Sequence, residues 1–309
     1  MKNFLVSVII PVYNEEKTVS PLLKRLFPTL KPYNHEILFV DDGSTDNTAT
    51  EVKKFAQKNT AIKLVCFNRN FGHQMALSCG YELAKGDCVV SMDSDLQDPP
   101  EIIPKLIEKW QKGNKVVYAK REKREVDGVF KRITAQWFYT LINFLSDIPI
   151  PRDVGDFRLL DREVVDFLNH LSERSRFFRG LVAWGSHPAA FVLYKREKRF
   201  AGETHYTVSK MMNFALDGIA SFSTKPLRLA SILGFVSATI GFLGIIYAIL
   251  GRIFLPTYWV TGWTGLFVGI MFLGGVQLFA IGIIGEYIGR VYMEVQKRPQ
   301  YLVKETVNV

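Results

Sequence analysis

The stretch VVSMDSDLQDPP, residues 89–100, sets the fold of the first half of the chain. An apolar run of strand length ends in three carboxylates, Asp93, Asp95 and Asp98. Crowded carboxylates repel one another and are costly to desolvate, so such a cluster needs a cation or a solvated turn. Two readings stand: a turn ahead of a helix opened by Pro99 and Pro100, or a metal site. Asp93, Asp95 and Gln97 alternate along an extended segment and can point the same way. They offer only oxygen, which suits Mg2+ or Mn2+ with positions left for substrate phosphates.

Outward from this stretch, strand and helix patterns alternate. FLVSVIIPVY (4–13), HEILFVDDGS (35–44), IKLVCFNR (62–69) and DCVVSMD (87–93) read as strands. EEKTVSPLLKRLFPTL (15–30), TDNTATEVKKFAQKN (45–59) and GHQMALSCGYELAK (72–85) have helical spacing, the second with Asp46 or Thr45 as a cap. This order predicts a doubly wound, mostly parallel sheet whose ligands bind beyond the carboxyl ends of its strands. Three such ends, PVYNEE, VDDGSTD and MDSDLQD, then converge on one crevice. Asp41 and Asp42 can bond a ribose hydroxyl or a base edge, or simply close an Asx turn with Gly43 and Ser44. Neither a GxGxxG fingerprint nor a Walker A sequence occurs, which counts against a dinucleotide oxidoreductase and a P-loop enzyme.

The second half differs. Residues 229–251 and 253–285 carry no formal charge, and each run exceeds the roughly 20 residues needed to cross a bilayer. The aromatic-rich PTYWVTGW (256–263) reads as an interfacial loop between helices at about 229–251 and 264–286. Lys225 and Arg228 precede the first span and Arg290, Lys297 and Arg298 follow the second, so the positive-inside rule places both termini in the cytoplasm. The expected plan is a cytosolic domain over 1–206, an amphipathic juxtamembrane segment over 207–228, a two-helix transmembrane hairpin over 229–288 and a cytosolic tail over 289–309. RFFRGLVAWG (176–185) and MMNFALDGIASF (211–222) suit a membrane surface, core packing or a subunit interface. The net charge of +9 is dispersed or set beside apolar residues, as in KREKRE, which points to anionic lipid and away from nucleic acid. Cys66, Cys79 and Cys88 show no metal-ligand spacing.

VSVIIPVYNEE, VDDGSTDNT and MDSDLQDPPE together resemble the family 2 glycosyltransferases, which have a Rossmann-like GT-A fold and a DxD-type acidic motif. VGDFRLLDREV, KRFAGETHYTVSK, ALDGIASFSTKPLR and IGEYIGRVYMEVQKRPQY narrow the resemblance to the polyisoprenyl-phosphate glycosyltransferases, including the GtrB-type glucosyltransferases and dolichyl-phosphate mannose synthases. The resemblance implies inverting transfer of a hexose from a nucleotide sugar, with UDP-glucose the first choice, to a polyprenyl phosphate such as undecaprenyl phosphate. It implies that Pro11, Tyr13 and Glu15 line the nucleotide pocket, that Asp42 contacts the nucleotide, and that Asp93, Asp95 and Gln97 hold metal and diphosphate. Asp156 matches the acidic residue assigned to catalysis. By the same pattern Arg121 and Arg132 receive the acceptor phosphate; Arg199 and Lys210 flank the AGETHY loop, from which either could reach the nucleotide diphosphate when that loop closes. His205 stands where Lys is more common. Alternatives are a glycosyltransferase acting on a glycolipid hydroxyl, or a non-enzymatic membrane scaffold or lipid translocation partner. Homo-oligomers are expected, through helix faces bearing Gly241 and Gly244.

Overall fold

The computed structural model describes residues 2–122, 151, 154–174, 176–197, 223–254 and 263–309. They fall into two compact units, one built on a sheet and one on two long helices.

In the sheet unit the chain runs β1 (Lys2–Val12), α1 (Val19–Leu30), β2 (Tyr33–Asp41), α2 (Thr48–Ala56), β3 (Ile62–Phe67), α3 (His73–Leu83) and β4 (Cys88–Ser91). A 3-10 turn at Pro100–Ile102 leads into α4 (Ile103–Gln111) and β5 (Val116–Arg121). Then follow β6 (Val154–Asp161), α5 (Arg162–His170), α6 (Phe178–Trp184), β7 (Ala189–Tyr194) and, at the far end of the sequence, β8 (Val303–Val307). The order across the sheet is β7-β5-β6-β4-β1-β2-β3-β8. β6 and β8 pair antiparallel with their neighbours and the other strands share one direction, so the sheet is mostly parallel, as expected.

Both faces of the central strands are covered. Val6, Val8, Ile10 and Val12 pack with α1, α2 and α4 on one face, while Leu38, Val40, Val65 and Phe67 pack with Ala76 and Cys79 of α3 on the other. That two-sided burial is why β1 reads as a continuous apolar run and not as an alternating one. Winding reverses between β1 and β4, so the crevice expected at a topological switch point opens where PVYNEE and MDSDLQD end.

The other unit is a hairpin of α7 (Lys225–Phe254) and α8 (Trp263–Gln296), packed together and closed by a 2.6 Å hydrogen bond from Tyr287 Oη to the Ser223 carbonyl. Two stretches, Lys225–Gly244 and Gly269–Gln296, are long and apolar enough to cross a membrane. Phe235 and Leu278 are more than 70% exposed, and no residue of the second stretch is fully buried. A buried hairpin in a soluble protein would show the reverse, so these apolar faces associate the chain with a membrane.

Residues 289–309, set apart above as one tail, divide. α8 continues past the apolar run to Gln296, supported by an Arg290–Glu286 pair one turn apart at 2.9 Å. Arg298–Val309 belongs to the sheet unit.

Candidate active site

The loops after β1 and β2 are bound to each other. Asn14, at φ +54°, donates its N–H to Ser44 Oγ and accepts from the Thr45 N–H at Oδ1. The Glu15 N–H reaches Thr48 Oγ1 at 2.7 Å. Gly43 makes this possible: at φ +73°, a Cβ there would stand 2.4 Å from the Arg69 carbonyl carbon. Pro11 is buried at the floor and Tyr13 is exposed at the rim. Asp41 closes an Asx turn by accepting from Ser44, the plainer of its two readings. Asp42 accepts from the Phe71 and Gly72 N–H groups at 2.7 and 2.9 Å, which fixes the turn ahead of α3. Burial raises its pKa and those two bonds oppose the rise.

The acidic turn after β4 is tight and partly strained. Leu96 is 4% exposed at φ +59°, a conformation costing a bulky residue about 1–2 kcal/mol. The Gln97 N–H donates to Asp95 Oδ1 at 3.0 Å, and the Gln97 carbonyl accepts from the Glu197 N–H. Residues following β7 are thereby laid onto the turn. Arg196 lies 4.0 Å from Asp95 and 3.8 Å from Asp98, and Tyr194 Oη donates to Asp98. Arg121, at the end of β5, donates to Tyr194 Oη at 3.3 Å; its guanidinium is pushed down by burial and up, on balance, by Tyr194, Asp98 and Asp93.

Asp156 meets this turn because β6 runs against β4. Ser91 pairs with Arg158, so the start of β6 lies beside the carboxyl end of β4. Ser91 Oγ, itself accepting from Tyr81 Oη, donates to the Asp156 carbonyl at 2.6 Å. The Asp156 carboxylate is held by Arg158 at 2.5 Å and by Arg179 of α6 through Nε at 3.2 Å and Nη2 at 2.9 Å. His73 Nε2, on the first residue of α3, stands 3.5 Å from Asp156 and 3.7 Å from Asp93. Burial would raise the Asp156 pKa, but Arg179, His73 and Arg158 outweigh it and hold the carboxyl well below its ordinary value. Asp93 goes the other way: burial raises it, and the charges of Asp156 and Asp95 add to the rise against His73.

Among the described residues no three His, Cys, Asp or Glu side chains form a metal-holding group. The turn nevertheless fits a hard divalent ion. Such an ion commonly takes one or two carboxylates plus substrate phosphates. Asp93 and Asp95 are crowded carboxylates, and the buried Asp98 Oδ2 has no hydrogen-bond partner among the described residues.

Of the residues singled out from sequence, Pro11, Tyr13, Glu15, Asp42, Asp93, Asp95, Gln97, Arg121 and Asp156 all lie along the carboxyl edge of the sheet. Arg132, Arg199, Lys210, His205 and MMNFALDGIASF lie outside the described residues. The sequence reading passes over Arg158, Arg179, Arg196 and Tyr194, and leaves His73 open between a phosphate contact and an ordinary loop histidine. RFFRGLVAWG is core packing over much of its length, with Phe178, Leu181 and Val182 buried.

Residues 7–168 match the family described as Glycosyl transferase family 2. The chain belongs to that family. This glycosyltransferase is 46% identical over 301 residues to an uncharacterized glycosyltransferase of Synechocystis sp., covering 97% of this chain and 94% of that one. It is 45% identical over 303 residues to a bactoprenol glucosyl transferase of Shigella phage SfII, covering 97% and 98%. A mannosyl-3-phosphoglycerate synthase from Rubrobacter xylanophilus aligns over 69% of this chain and 71% of that one, with 18% identity and a TM-score of 0.49. The fold is GT-A-like: a family 2 domain on a mostly parallel sheet, with two apolar helices near its C-terminus.

Proposed function

We propose that this glycosyltransferase moves glucose from UDP-glucose to a polyprenyl phosphate, undecaprenyl phosphate being the first candidate, at the cytoplasmic face of the membrane. The observation that carries the reading is the division of charge in the crevice. An acidic turn suited to a metal and a diphosphate lies beside a carboxylate surrounded by His73, Arg158 and Arg179. The near full-length likeness to a bactoprenol glucosyl transferase, hairpin included, supports the lipid acceptor and the sugar. The basic residues flanking the spans support cytoplasmic termini.

In the proposed reaction an acceptor phosphate oxygen attacks the anomeric carbon, the bond to the β-phosphate oxygen breaks, and the nucleoside diphosphate leaves with inversion. Asp93 and Asp95, with Gln97 beside them, hold the divalent ion. When bound, Mg2+ or Mn2+ neutralises charge growing on the leaving diphosphate. Pro11, Tyr13, Glu15 and Asp42 frame the nucleotide, Arg199 and Lys210 close on its diphosphate, and Arg121 and Arg132 receive the acceptor. A phosphate monoester has a second pKa near 6 and is largely a dianion at neutral pH, so little proton transfer is required. A carboxyl held as low as Asp156 is a weak base. Its work is to fix Arg179 and His73 where an anionic nucleophile passes, which favours phosphate over a glycolipid hydroxyl. Assembly into homo-oligomers through Gly241 and Gly244, where an added Cβ would meet no atom within 4 Å outside the helix's own backbone, belongs to the same proposal.

The test is transfer of radiolabel from UDP-glucose, with GDP-mannose in parallel, to undecaprenyl phosphate by purified protein with Mg2+ or Mn2+. Metal-dependent labelling from UDP-glucose that is lost in Asp95→Ala is expected. Labelling from GDP-mannose alone would overturn the choice of sugar, and labelling of a lipid hydroxyl in place of the phosphate would overturn the acceptor.

A further inference from the structure

One stripe of α3 holds the segment that delivers Arg179. Gln74, Ser78 and Glu82 are spaced four residues apart and therefore share a helix face. Gln74 Oε1 accepts from the Phe178 N–H at 3.2 Å, at the first turn of α6. Ser78 Oγ accepts from Arg176 Nη1 at 2.6 Å, and Glu82 Oε1 lies 3.4 Å from the same nitrogen. Arg176, 8% exposed, also donates to the carbonyls of Leu171 and Glu173. Arg179 follows three residues later and makes its two bonds to Asp156.

The C-terminal segment grips the end of this stripe. α8 stops at Gln296, with Lys297 at φ +46° and Pro299 beyond it, a common helix ending. Gln300 Nε2 then donates to the Glu173 carbonyl at 3.1 Å. The Tyr301 ring stacks on Phe67 at 4.8 Å, and its hydroxyl donates to Glu82 Oε2. Burial and the Glu82 carboxylate push the Tyr301 phenol well above its ordinary pKa, so it remains a donor. Beyond it, β8 pairs with β3, Glu305 meets Lys53 at 2.7 Å, and Asn308 donates to the Ala56 and Ile62 carbonyls.

We propose that Tyr301 is a positioning residue for the reacting centre: through Glu82 and Arg176 it sets the approach of Arg179 to Asp156. The segment that continues directly from a membrane-crossing helix is thereby wired to the crevice. This rests on the assignment of Arg179 and Asp156 to the reacting centre under the proposed function.

Tyr301→Phe keeps the stacked ring and removes only the hydroxyl. In the full-length protein in detergent or nanodiscs, kcat is expected to fall ~5–20-fold with the donor KM within twofold, because sub-ångström misplacement acts on the reacting geometry and not on donor binding. In an Arg179→Lys background the same substitution is expected to change kcat less than twofold, since its route to the centre is already broken. Glu305→Gln, at the far end of the segment, is expected to leave kcat unchanged. Equal falls in both backgrounds, or a fall in Glu305→Gln matching that of Tyr301→Phe, would overturn the proposal. Amide exchange over residues 176–184 separates this claim from the function. Should the wild type transfer no sugar to polyprenyl phosphate, the functional reading fails, while faster exchange there in Tyr301→Phe still supports the positioning link and unchanged exchange refutes it.

Discussion

Asp156→Asn separates an orienting carboxylate from a general base. The substitution preserves shape and removes the charge that faces Arg158, Arg179 and His73. Arg179 is 30% exposed and can turn toward solvent, whereas Arg158 is fully buried and cannot. Loss of the paired geometry at Arg179 is a displacement of about 1 Å, which costs on the order of 100-fold in rate, or about 2.7 kcal/mol of transition-state stabilisation. Leaving Arg158 unpaired costs about 3–5 kcal/mol of stability. The Asp156 pKa is depressed on folding, so its contribution to stability is complete above the unfolded value of about 3.9 and is lost only as pH falls through the still lower folded value. Between pH 5 and 8 Asp156 itself stays ionised, and because His73, whose pKa burial lowers but Asp156 and Asp93 raise on balance, can change charge in this range, each variant rate is read against the wild-type rate at the same pH. Single-turnover transfer to polyprenyl phosphate at pH 5.5 and pH 8, with melting curves at both, is the assay. An orienting role predicts the same ~100-fold loss at both pH values, with wild type and variant sharing an acid limb near the acceptor pKa of about 6. Near-normal turnover of the variant at pH 8 with a collapse at pH 5.5 would refute the reasoning and make Asp156 the base.

Other expectations follow from the same geometry. Glu36, 5% exposed, receives Ser7, the Lys85 N–H and Lys63, which lower its pKa against the effect of burial. Glu36→Gln is expected to lower stability by about 3 kcal/mol near neutral pH, read by thermal unfolding in detergent. The gap to wild type should close as pH falls below about 4, because the depressed carboxyl stabilises only while ionised; a gap unchanged at acid pH would contradict this. Gly80→Ala places a Cβ 2.3 Å from Cγ2 of the fully buried Ile9, and overpacking between α3 and β1 should cost about 1–3 kcal/mol, with a neutral melt counting against the packing described. Chelation should abolish transfer, and Mg2+ or Mn2+ should restore it in wild type but not in Asp95→Ala; full activity in chelator would remove the metal from the scheme.

The parallel half of the fold was legible because β1 to β4 are each followed by a helix or a turn with its own local signal, and because burial on both faces leaves unbroken apolar runs such as 37–40. Acids at strand ends were legible for the same reason. Arg158 was within reach, since it stands two residues after Asp156 and so shares its face of β6. Arg179 was not: it comes from α6, 23 residues away, and no spacing rule says which helix of a crossover lands on a given strand. β8 was hidden by its composition, because VKETV is an exposed edge strand whose charges read as a tail.

The direction of β6 and the charges it brings explain how several acids share one edge with their charges met by separate partners. Had β6 run parallel to β4, Asp156 near its start would lie at the opposite edge from Asp93. Running antiparallel, it arrives beside the turn and brings its neutralising charge along, Arg158 from its own strand and Arg179 from the helix that follows. Asp42 is satisfied by backbone N–H groups, and Asp98 has Tyr194 with Arg121 and Arg196 nearby. Asp93 shares His73 with Asp156, and its pKa is raised by its acidic neighbours. A divalent cation therefore gains most at Asp93 and Asp95 and least at Asp156, whose charge is already met. Under the proposed function, metal binding and acceptor orientation would then fall to different carboxylates, with His73 standing 3.5 Å from Asp156 and 3.7 Å from Asp93.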